Sequence, residues 1–353
     1  MASIACFVSA HGFGHATRTA AVLEYLRDQL PSLELTIISA VPQRVFADTL
    51  GDVVLHPLDV DVGLVQRTAL VADYPATIKK LDTFLPYSRS ASTRLVSLCR
   101  GCSLILCDIS PWGIMVAEEL GVPSVLLENF TWDIIYGPAE RQFPKLAQHG
   151  AYLRKIIERA SYRIQTEPVC NPCHSDLTCG PIFRRQRTPR ATIRGQLGHG
   201  FNKIVVTTLG GFSQGIPSLP YHQHPDLLFV FPGQTTSDTI GGNVLLLGKE
   251  DGPYHPDLLS AADLVVCKSG YSTLAECCQA GVRPISVGRE DFPESAVLQR
   301  YAQKHLGGVA ISPSAFLAGE WLELAAKMTS VAPPSPFREN GAEKVAEFLH
   351  KLL

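Results

Sequence analysis

His11-Gly12-Phe13-Gly14-His15-Ala16-Thr17-Arg18 follows a short apolar run, Ile4 to Val8. It precedes a run from Thr17 to Leu30 in which Val22, Leu23, Leu26 and Leu30 recur at helical spacing. The apolar run reads as a buried strand and the later run as an amphipathic helix. A strand, a glycine-rich turn and a helix start together form a ligand-binding corner. Glycine lets backbone approach a ligand closely, and a helix N-terminus favours negative charge. Histidine takes a proton near neutral pH, so a corner holding His11 and His15 is equipped for chemistry as well as binding.

The rival readings of this corner are weaker. Gly12-x-Gly14-x-x-Thr17 approaches the dinucleotide fingerprint, but threonine replaces its third glycine. The second expected strand ends at Ile38-Ser39-Ala40, with no acidic residue to hold a ribose. A nicotinamide enzyme is therefore disfavoured. His11 and His15, four apart, make half of a metal site, and no further ligand is evident nearby. The plain alternative is that both histidines only satisfy the turn. The stronger expectation is a catalytic base, His15 ahead of His11.

The chain has 353 residues, 46% of them hydrophobic and 18% charged, enough for two domains with sizeable cores. Its formal net charge is −2. Arg184, Arg185, Arg187, Arg190 and Arg194 form the one dense basic cluster; beside Pro181 and Pro189 it reads as a solvated linker. Nucleic acid is not an expected partner. No apolar run approaches the roughly 18–20 residues of a membrane helix. No basic segment precedes the first strand, so a signal peptide is not expected. The ten cysteines are expected to be reduced thiols in a cytoplasmic protein. Cys170-Asn171-Pro172-Cys173-His174, with Cys179 nearby, has the haem-attachment spacing and enough thiols to raise zinc. Without an export signal, the expectation is a thiol-rich linker and no metal. The oligomeric state is open.

Strands are expected at Ser3–Ser9, Glu34–Ser39, Leu104–Asp108 and Ser124–Glu128, with helices at Thr77–Arg100 and Ile114–Leu120. Residues 166–200 break the alternation. It resumes with strands at Lys203–Leu209, Leu227–Phe231, Val244–Leu247, Leu264–Cys267, Pro284–Val287 and Val309–Ile311. Helices are expected at Thr273–Ala280 and Ser295–His305. Alternation of this kind predicts parallel sheets covered by helices. The expected division is an N-terminal domain over 1–180, a C-terminal domain over 181–335, and a last helix within 336–353 that could return to the first domain.

A second corner lies at Lys268-Ser269-Gly270-Tyr271-Ser272-Thr273-Leu274-Ala275-Glu276, after one strand and at the start of a helix. Gly270 frees the backbone, and the amides of Ser272 and Thr273 suit a pyrophosphate. Glu276, one turn inside, could accept hydrogen bonds from two ribose hydroxyls. Thr273-x-x-Glu276 also reads as a capping box, in which the glutamate merely satisfies an amide. Two further loops, Gly210-Gly211-Phe212-Ser213-Gln214-Gly215 and Arg289-Glu290-Asp291-Phe292-Pro293-Glu294-Ser295, follow strands. Taken alone, their glycines and carboxylates are what turns routinely contain.

Taken together, these residues resemble the GT-B glycosyltransferases: α/β, with two Rossmann-like domains facing each other across a cleft. Lys268–Gly281 is similar to the donor-binding motif of the bacterial N-acetylglucosaminyltransferase that makes lipid II. Gly210–Gly215 is similar to that family's Gly-Gly-Ser-Gln-Gly loop with Phe212 inserted. His11–Arg18 and Asn129-Phe130-Thr131-Trp132-Asp133-Ile134-Ile135-Tyr136 resemble the glycosyltransferase-like domain that precedes the kinase in plant L-arabinokinases. No sugar-kinase domain is expected in these residues, so kinase activity does not carry over.

The resemblance implies a nucleotide-sugar co-substrate, UDP-linked, a hydroxyl acceptor and no other cofactor. It assigns donor contacts to Gly14, Gly210, Gly211, Phe212, Ser269, Gly270, Ser272 and Thr273, with Glu276 on the ribose. Leu247 and Gly248 would meet the base, and Glu294 or Ser295 the sugar. His15 would be the base, with His11 as its substitute. Asp108, Ser110, Asn129 and Trp132 fall on the acceptor side, where Trp132 would either stack on a sugar or simply pack. Positive charge and helix dipoles would take the place of a metal ion at the diphosphate. Two alternatives keep the fold: a nucleotide-sugar hydrolase in which His15 activates water, and a non-catalytic nucleotide-sugar-binding protein.

Overall fold

The structure is a computed structural model that describes residues 2–68, 70–198, 200–209, 216–248, 252–289 and 291–353. The chain divides into two compact units. The first comprises Met1–Gln66, Ala72–Phe183 and Glu339–Leu353; the second comprises Arg67–Val71 and Arg184–Arg338. The expected joins at 180 and 335 lie three residues short of these at each end. Arg67–Val71 is a further difference: Leu70 is buried in the apolar core of the second unit, around Phe229, Val266 and Trp321.

The first unit is built on seven strands: Ser3–Val8 (β1), Glu34–Ile38 (β2), Val54–His56 (β3), Leu104–Asp108 (β4), Ser124–Glu128 (β5), Tyr162–Thr166 (β6) and Leu177–Cys179 (β7). Their order is β3-β2-β1-β4-β5-β6-β7, parallel throughout. β1 lies between β2 and β4, with Cys6 opposite Ile37 on one side and Leu106 on the other. Ile4 to Val8 are all fully buried, which is why this strand is a continuous apolar run and not an alternating one.

Gly14–Gln29 (α1) leaves β1 through the histidine turn, where Gly12 has φ +77°, a left-handed conformation that favours glycine. The helix begins at Gly14, three residues before the expected start. Its N-cap, Phe13, supplies no side-chain bond to the first turn. The helix expected over 77–100 is two helices, Tyr74–Phe84 and Arg89–Leu98. Pro86 lies between them and biases Leu85 away from helix. Asp73 caps the first and Ser88 the second. Pro111–Leu120 (α2) and Trp132–Tyr136 (α3) follow β4 and β5.

The second sheet contains Lys203–Thr208 (β8), Leu227–Thr235 (β9), Thr239–Gly241 (β10), Val244–Gly248 (β11), Leu264–Lys268 (β12), Arg283–Val287 (β13) and Val309–Ile311 (β14). Their order is β10-β11-β9-β8-β12-β13-β14, parallel except for the antiparallel edge strand β10. His255–Ala261 (α4) precedes β12, Tyr271–Ala280 (α5) follows it, and Glu294–Leu306 (α6) follows β13.

Gly341–His350 (α7) packs on α1 within the first unit. Asn340 caps it and also exchanges hydrogen bonds with the backbone of Phe183. A Cβ at position 341 would stand 2.2 Å from the carbonyl oxygen of Gly180, so only glycine passes there.

The arginine cluster is not a solvated linker. Arg184 is buried, and Arg190 and Arg194 pair with Asp263 and bond the carbonyls of Ser260, Ala261 and Ala262. Arg187 and Thr188 donate their backbone amides to Asp257. These residues fasten the start of the second unit to α4 and the turn after it.

Candidate active site

In the first unit the histidine turn is organised by one carboxylate at the end of β4. Asp108 is fully buried. Arg18 reaches it as a fork, Nε donating to Oδ2 at 3.0 Å and Nη2 to Oδ1 at 2.5 Å. Thr19 Oγ1 donates to Oδ2 at 2.9 Å, and His15 Nδ1 lies 2.8 Å from Oδ1. Burial alone would push this carboxyl up; Arg18 and His15 more than reverse that and hold it at about 2. The carboxylate is thus ionised at neutral pH and selects the Nδ1–H tautomer of His15. Arg18 Nη2 also lies 3.2 Å from Nδ1, but a nitrogen already donating to Asp108 has no lone pair for it. Nε2 of His15 is left as the basic atom. His15 itself is 7% exposed.

His11 faces a different partner. Its ring meets Trp132 edge-on, with centroids 5.0 Å apart. Trp132 is 1% exposed, and its Nε1 donates to Asp61 Oδ2 at 3.0 Å. Ser9 Oγ donates to Asp61 Oδ1 at 3.0 Å, Ser110 Oγ to the Val60 carbonyl, and Tyr136 OH to the Gly63 carbonyl. Burial raises Asp61 to about 6. The segment Val60–Gly63 is therefore clamped over the turn from four side chains, and a Cβ on Gly63 would stand 2.9 Å from His11 Nδ1.

The four residues expected on the acceptor side each have a partner within the first unit. Asp108 serves His15 and Arg18, and Asn129 Oδ1 accepts from Arg18 Nη1 at 2.7 Å. Ser110 and Trp132 hold the Val60–Gly63 segment. All four are buried, and Trp132 offers no open face for a sugar.

In the second unit the corner after β12 divides into exposed and buried members. Gly270 is the N-cap of α5 and supplies no side-chain bond to its first turn. Gly270, Ser272 and Thr273 are half-buried. Ser269 is buried, and its Oγ donates to the Val287 carbonyl, so it ties β12 to β13. The capping-box reading fails, because α5 starts at Tyr271 and Thr273 is already within its first turn. Glu276 is 2% exposed; Oε1 accepts from Arg184 Nε at 2.8 Å and Oε2 from His255 Nδ1 at 2.5 Å. Burial again opposes ionisation, and Arg184 and His255 hold the carboxyl at about 2. Each oxygen thus accepts one hydrogen bond from protein, and each keeps a second lone pair.

Two cations that motif reading passed over sit at the same strand ends. Lys268 closes β12 and is lowered to about 8 by burial and then by Arg289. Arg289 is buried against the Phe292 ring, 3.8 Å from its centroid, and its Nε has no hydrogen-bond partner among the described residues. Glu294 lies 3.4 Å from Arg289 Nη2, and Ser295 Oγ accepts from the Arg289 amide. Both are buried and brace that arginine. Leu247 lines a cavity of about 540 Å³ with Gln196, Asp238, Ile240 and Pro253. The Gly248 amide donates to Asp238 Oδ1 at 2.7 Å. Gly14 opens α1, where its carbonyl accepts from Thr17. Gly210, Gly211 and Phe212 lie outside the described residues, as does Glu290. Among the described residues no three His, Cys, Asp or Glu side chains are grouped to hold a metal. Cys179 is buried and Cys173 exposed.

The fold has known counterparts. The chain covers 99% of, and is covered 99% by, the glycotransferase of kitacinnamycin, with TM-score 0.62 and 16% identity. A UDP-glucosyltransferase from Polygonum tinctorium gives TM-score 0.59 at 14% identity, over 99% of this chain and 98% of the other. The protein has the GT-B glycosyltransferase fold. No family model matches the chain. By sequence it is 26% identical to an L-arabinokinase of Arabidopsis thaliana over 98% of its length; the match spans 34% of that relative, about a third of it. It is 24% identical to an uncharacterized glycosyltransferase of Methanopyrus kandleri, over 64% of this chain and 68% of that one. On a GT-B frame, the two corners are the turns that follow β1 of the first unit and β12 of the second. Among the described residues no helix is long and apolar enough to cross a membrane.

Proposed function

We propose that this protein is a glycosyltransferase that moves a sugar from a UDP-linked donor to a hydroxyl acceptor, with His15 as the base. The observation that carries the reading is the Asp108-held imidazole at the start of α1, with Nδ1 2.8 Å from a buried, ionised carboxylate. His15 Nε2 takes the acceptor hydroxyl proton, and the acceptor oxygen forms a bond to the anomeric carbon of the donor. The bond from that carbon to the diphosphate oxygen breaks, and UDP leaves.

The donor reading rests on the second unit. The amides at the start of α5, with Gly270, Ser272 and Thr273, suit a diphosphate. Lys268 and Arg289, whose Nε has no hydrogen-bond partner among the described residues, lie at the same strand ends and would meet the charge that develops on the leaving group. The reaction as proposed draws on these cations, and turnover should persist in excess chelator. The protein would act in the cytoplasm.

Incubating the protein with UDP-sugars, with and without a panel of hydroxyl acceptors, and measuring UDP and free sugar tests this. Acceptor-dependent UDP release that His15→Ala abolishes is the expected result. Sugar release without acceptor would replace transfer by hydrolysis. No binding of any uridine nucleotide would remove the donor reading.

A further inference from the structure

The C-x-x-C-H stretch of residues 170–174 is the connection between β6 and β7 inside the first unit, not a linker between units. Of the ten cysteines, Cys173 is exposed and Cys170 half-buried, and the other eight are buried. The backbone of the stretch is held from two sides. The Cys170 amide donates to the Asn129 carbonyl at 2.8 Å. Gln165, on β6, accepts from the Cys173 amide at 3.1 Å, and its Nε2 donates to the Asn171 carbonyl at 3.1 Å and to Glu128 Oε1 at 2.8 Å. Pro172, between the cysteines, has its φ set by its own ring. The Cys173 thiol donates to the His174 carbonyl at 3.6 Å. C-x-x-C is a spacing at which two thiols close on each other and exchange with other disulfides. Burial pushes the Cys173 thiol up; Arg163 opposes that rise and Glu128 adds to it. A raised thiol attacks slowly but is also a poor leaving group, so a disulfide made from it resists reduction.

The same stretch touches the support of the proposed base. Asn129 takes the Cys170 amide on its carbonyl and Arg18 Nη1 on its side chain, at 2.7 Å. Arg18 holds Asp108, and Asp108 holds His15 Nδ1 at 2.8 Å. One run of hydrogen bonds therefore joins Cys170 to His15 within a single unit.

We propose that Cys170 and Cys173 are a reversible disulfide site, oxidised by a low-molecular-weight disulfide such as oxidised glutathione, and that its closure is felt at His15. The Cys173 thiolate attacks one sulfur of oxidised glutathione, and one glutathione thiolate leaves. The Cys170 thiolate then attacks the Cys173 sulfur of the mixed disulfide, and the second glutathione thiolate leaves. The S–S bond of the oxidant is exchanged for one in the protein, and the two cysteine protons end on the two glutathione thiols. A disulfide holds its two Cβ atoms about 3.8 Å apart. The amide bonds of Cys170 to Asn129 and of Cys173 to Gln165 are the contacts nearest to that change.

The test equilibrates the folded full chain in glutathione buffers from reduced to oxidised, then denatures, alkylates and maps the peptides by mass. In oxidised buffer Cys170 and Cys173 should form one crosslink, lighter by two hydrogens, with the eight buried cysteines alkylated. Cys170→Ser should stop at a glutathione adduct on Cys173. An adduct that persists on Cys173 of wild type, oxidation spread over the buried cysteines, or ten reduced thiols in every buffer would overturn the site. The His15 ring 15N signals should shift between reduced and oxidised wild type. They should not shift in the double variant Cys170→Ser, Cys173→Ser given the same treatment. Signals that stay in place with the disulfide formed, or that shift equally in the double variant, would overturn the link to His15.

Discussion

Each unit buries a carboxylate between an arginine and a histidine, and the two histidines differ in exposure. In the first unit Asp108 sits at a strand end with Arg18, His15 and Thr19 around it, and its histidine is almost closed off. In the second, Glu276 sits inside α5 with Arg184 and His255, and its histidine stands partly in solvent. The physics of the carboxylates is the same: burial penalises the charge, and a cation and an imidazole restore it. The difference lies in the imidazole. A shielded ring with a free Nε2 suits proton transfer, and an accessible one meets solvent.

The sharpest way to break this comparison is to remove each histidine. On the proposed function, His15→Ala should cut turnover by about 10²–10⁴-fold with UDP affinity nearly unchanged. His255→Ala should leave the turnover of bound donor close to wild type. Steady-state kinetics with calorimetry reads both. If His11→Ala carries the loss and His15→Ala does not, the base is His11, and the Asp108 contact is structural.

Removing the carboxylates should be costly in both units alike. Asp108→Ala leaves Arg18 buried without its counter-charge, and Glu276→Ala does the same to Arg184. Each should destabilise its unit by about 3–5 kcal/mol. The three tryptophans allow the units to be followed separately, because Trp112 and Trp132 lie in the first and Trp321 in the second. Fluorotryptophan spectra through a urea titration should show the Asp108→Ala loss at the first two signals and the Glu276→Ala loss at the third. A wild-type midpoint in either variant would show that the buried pair contributes nothing net.

Acid should reveal the same pairs with a sign fixed by their shifts. Asp108 and Glu276 are lowered from ordinary values of 3.8 and 4.5 to about 2. Their contribution is therefore full above pH about 4.5 and is lost as pH falls towards 2, about 2–3 kcal/mol for each. Asp61 runs the other way. It is raised from 3.8 to about 6, so its burial costs stability at neutral pH, and the first unit should gain as pH falls from 6 to 4. Asp61→Asn should flatten that gain and spare the loss below it. Stability in the first unit that declines steadily from pH 6 downward would contradict this.

What was legible in the sequence follows from the range of the interactions. The apolar run of β1, the glycine turn and the start of α1 are local, and so is the strand–Gly270–helix corner; both were readable from spacing. The break at Leu85-Pro86 was local too, and proline was the signal for it. The arginines of 184–194 were misread because their partners, Asp263 and Glu276, lie some 70–90 residues on. The partners of Ser110 and Trp132 in the segment Val60–Gly63 lie some 50–70 residues earlier in the chain, beyond the reach of any local pattern. His255 and Asp61 belong to no motif, and only tertiary contact gives them a role.

The smallest effect concerns what the first cluster has in addition to its arginine and histidine, the hydroxyl of Thr19 on Asp108 Oδ2 at 2.9 Å. Thr19 is fully buried on α1, one residue after Arg18. Thr19→Val keeps the shape and removes one donor to an ionised acceptor, which should cost about 1.5 kcal/mol at neutral pH. Because the lost bond favours the charged form, Asp108 should also titrate at higher pH in the variant, and the acid loss of the first unit should begin earlier. The His15 geometry rests on Oδ1, the other oxygen, so turnover should fall far less than in His15→Ala. Thr19→Ser, which keeps the hydroxyl, should restore the acid profile but not the packing of the lost methyl. If Thr19→Val leaves both the urea midpoint and the acid profile untouched, Arg18 and His15 alone hold the carboxylate, and the two clusters are closer to equivalent than their contacts indicate.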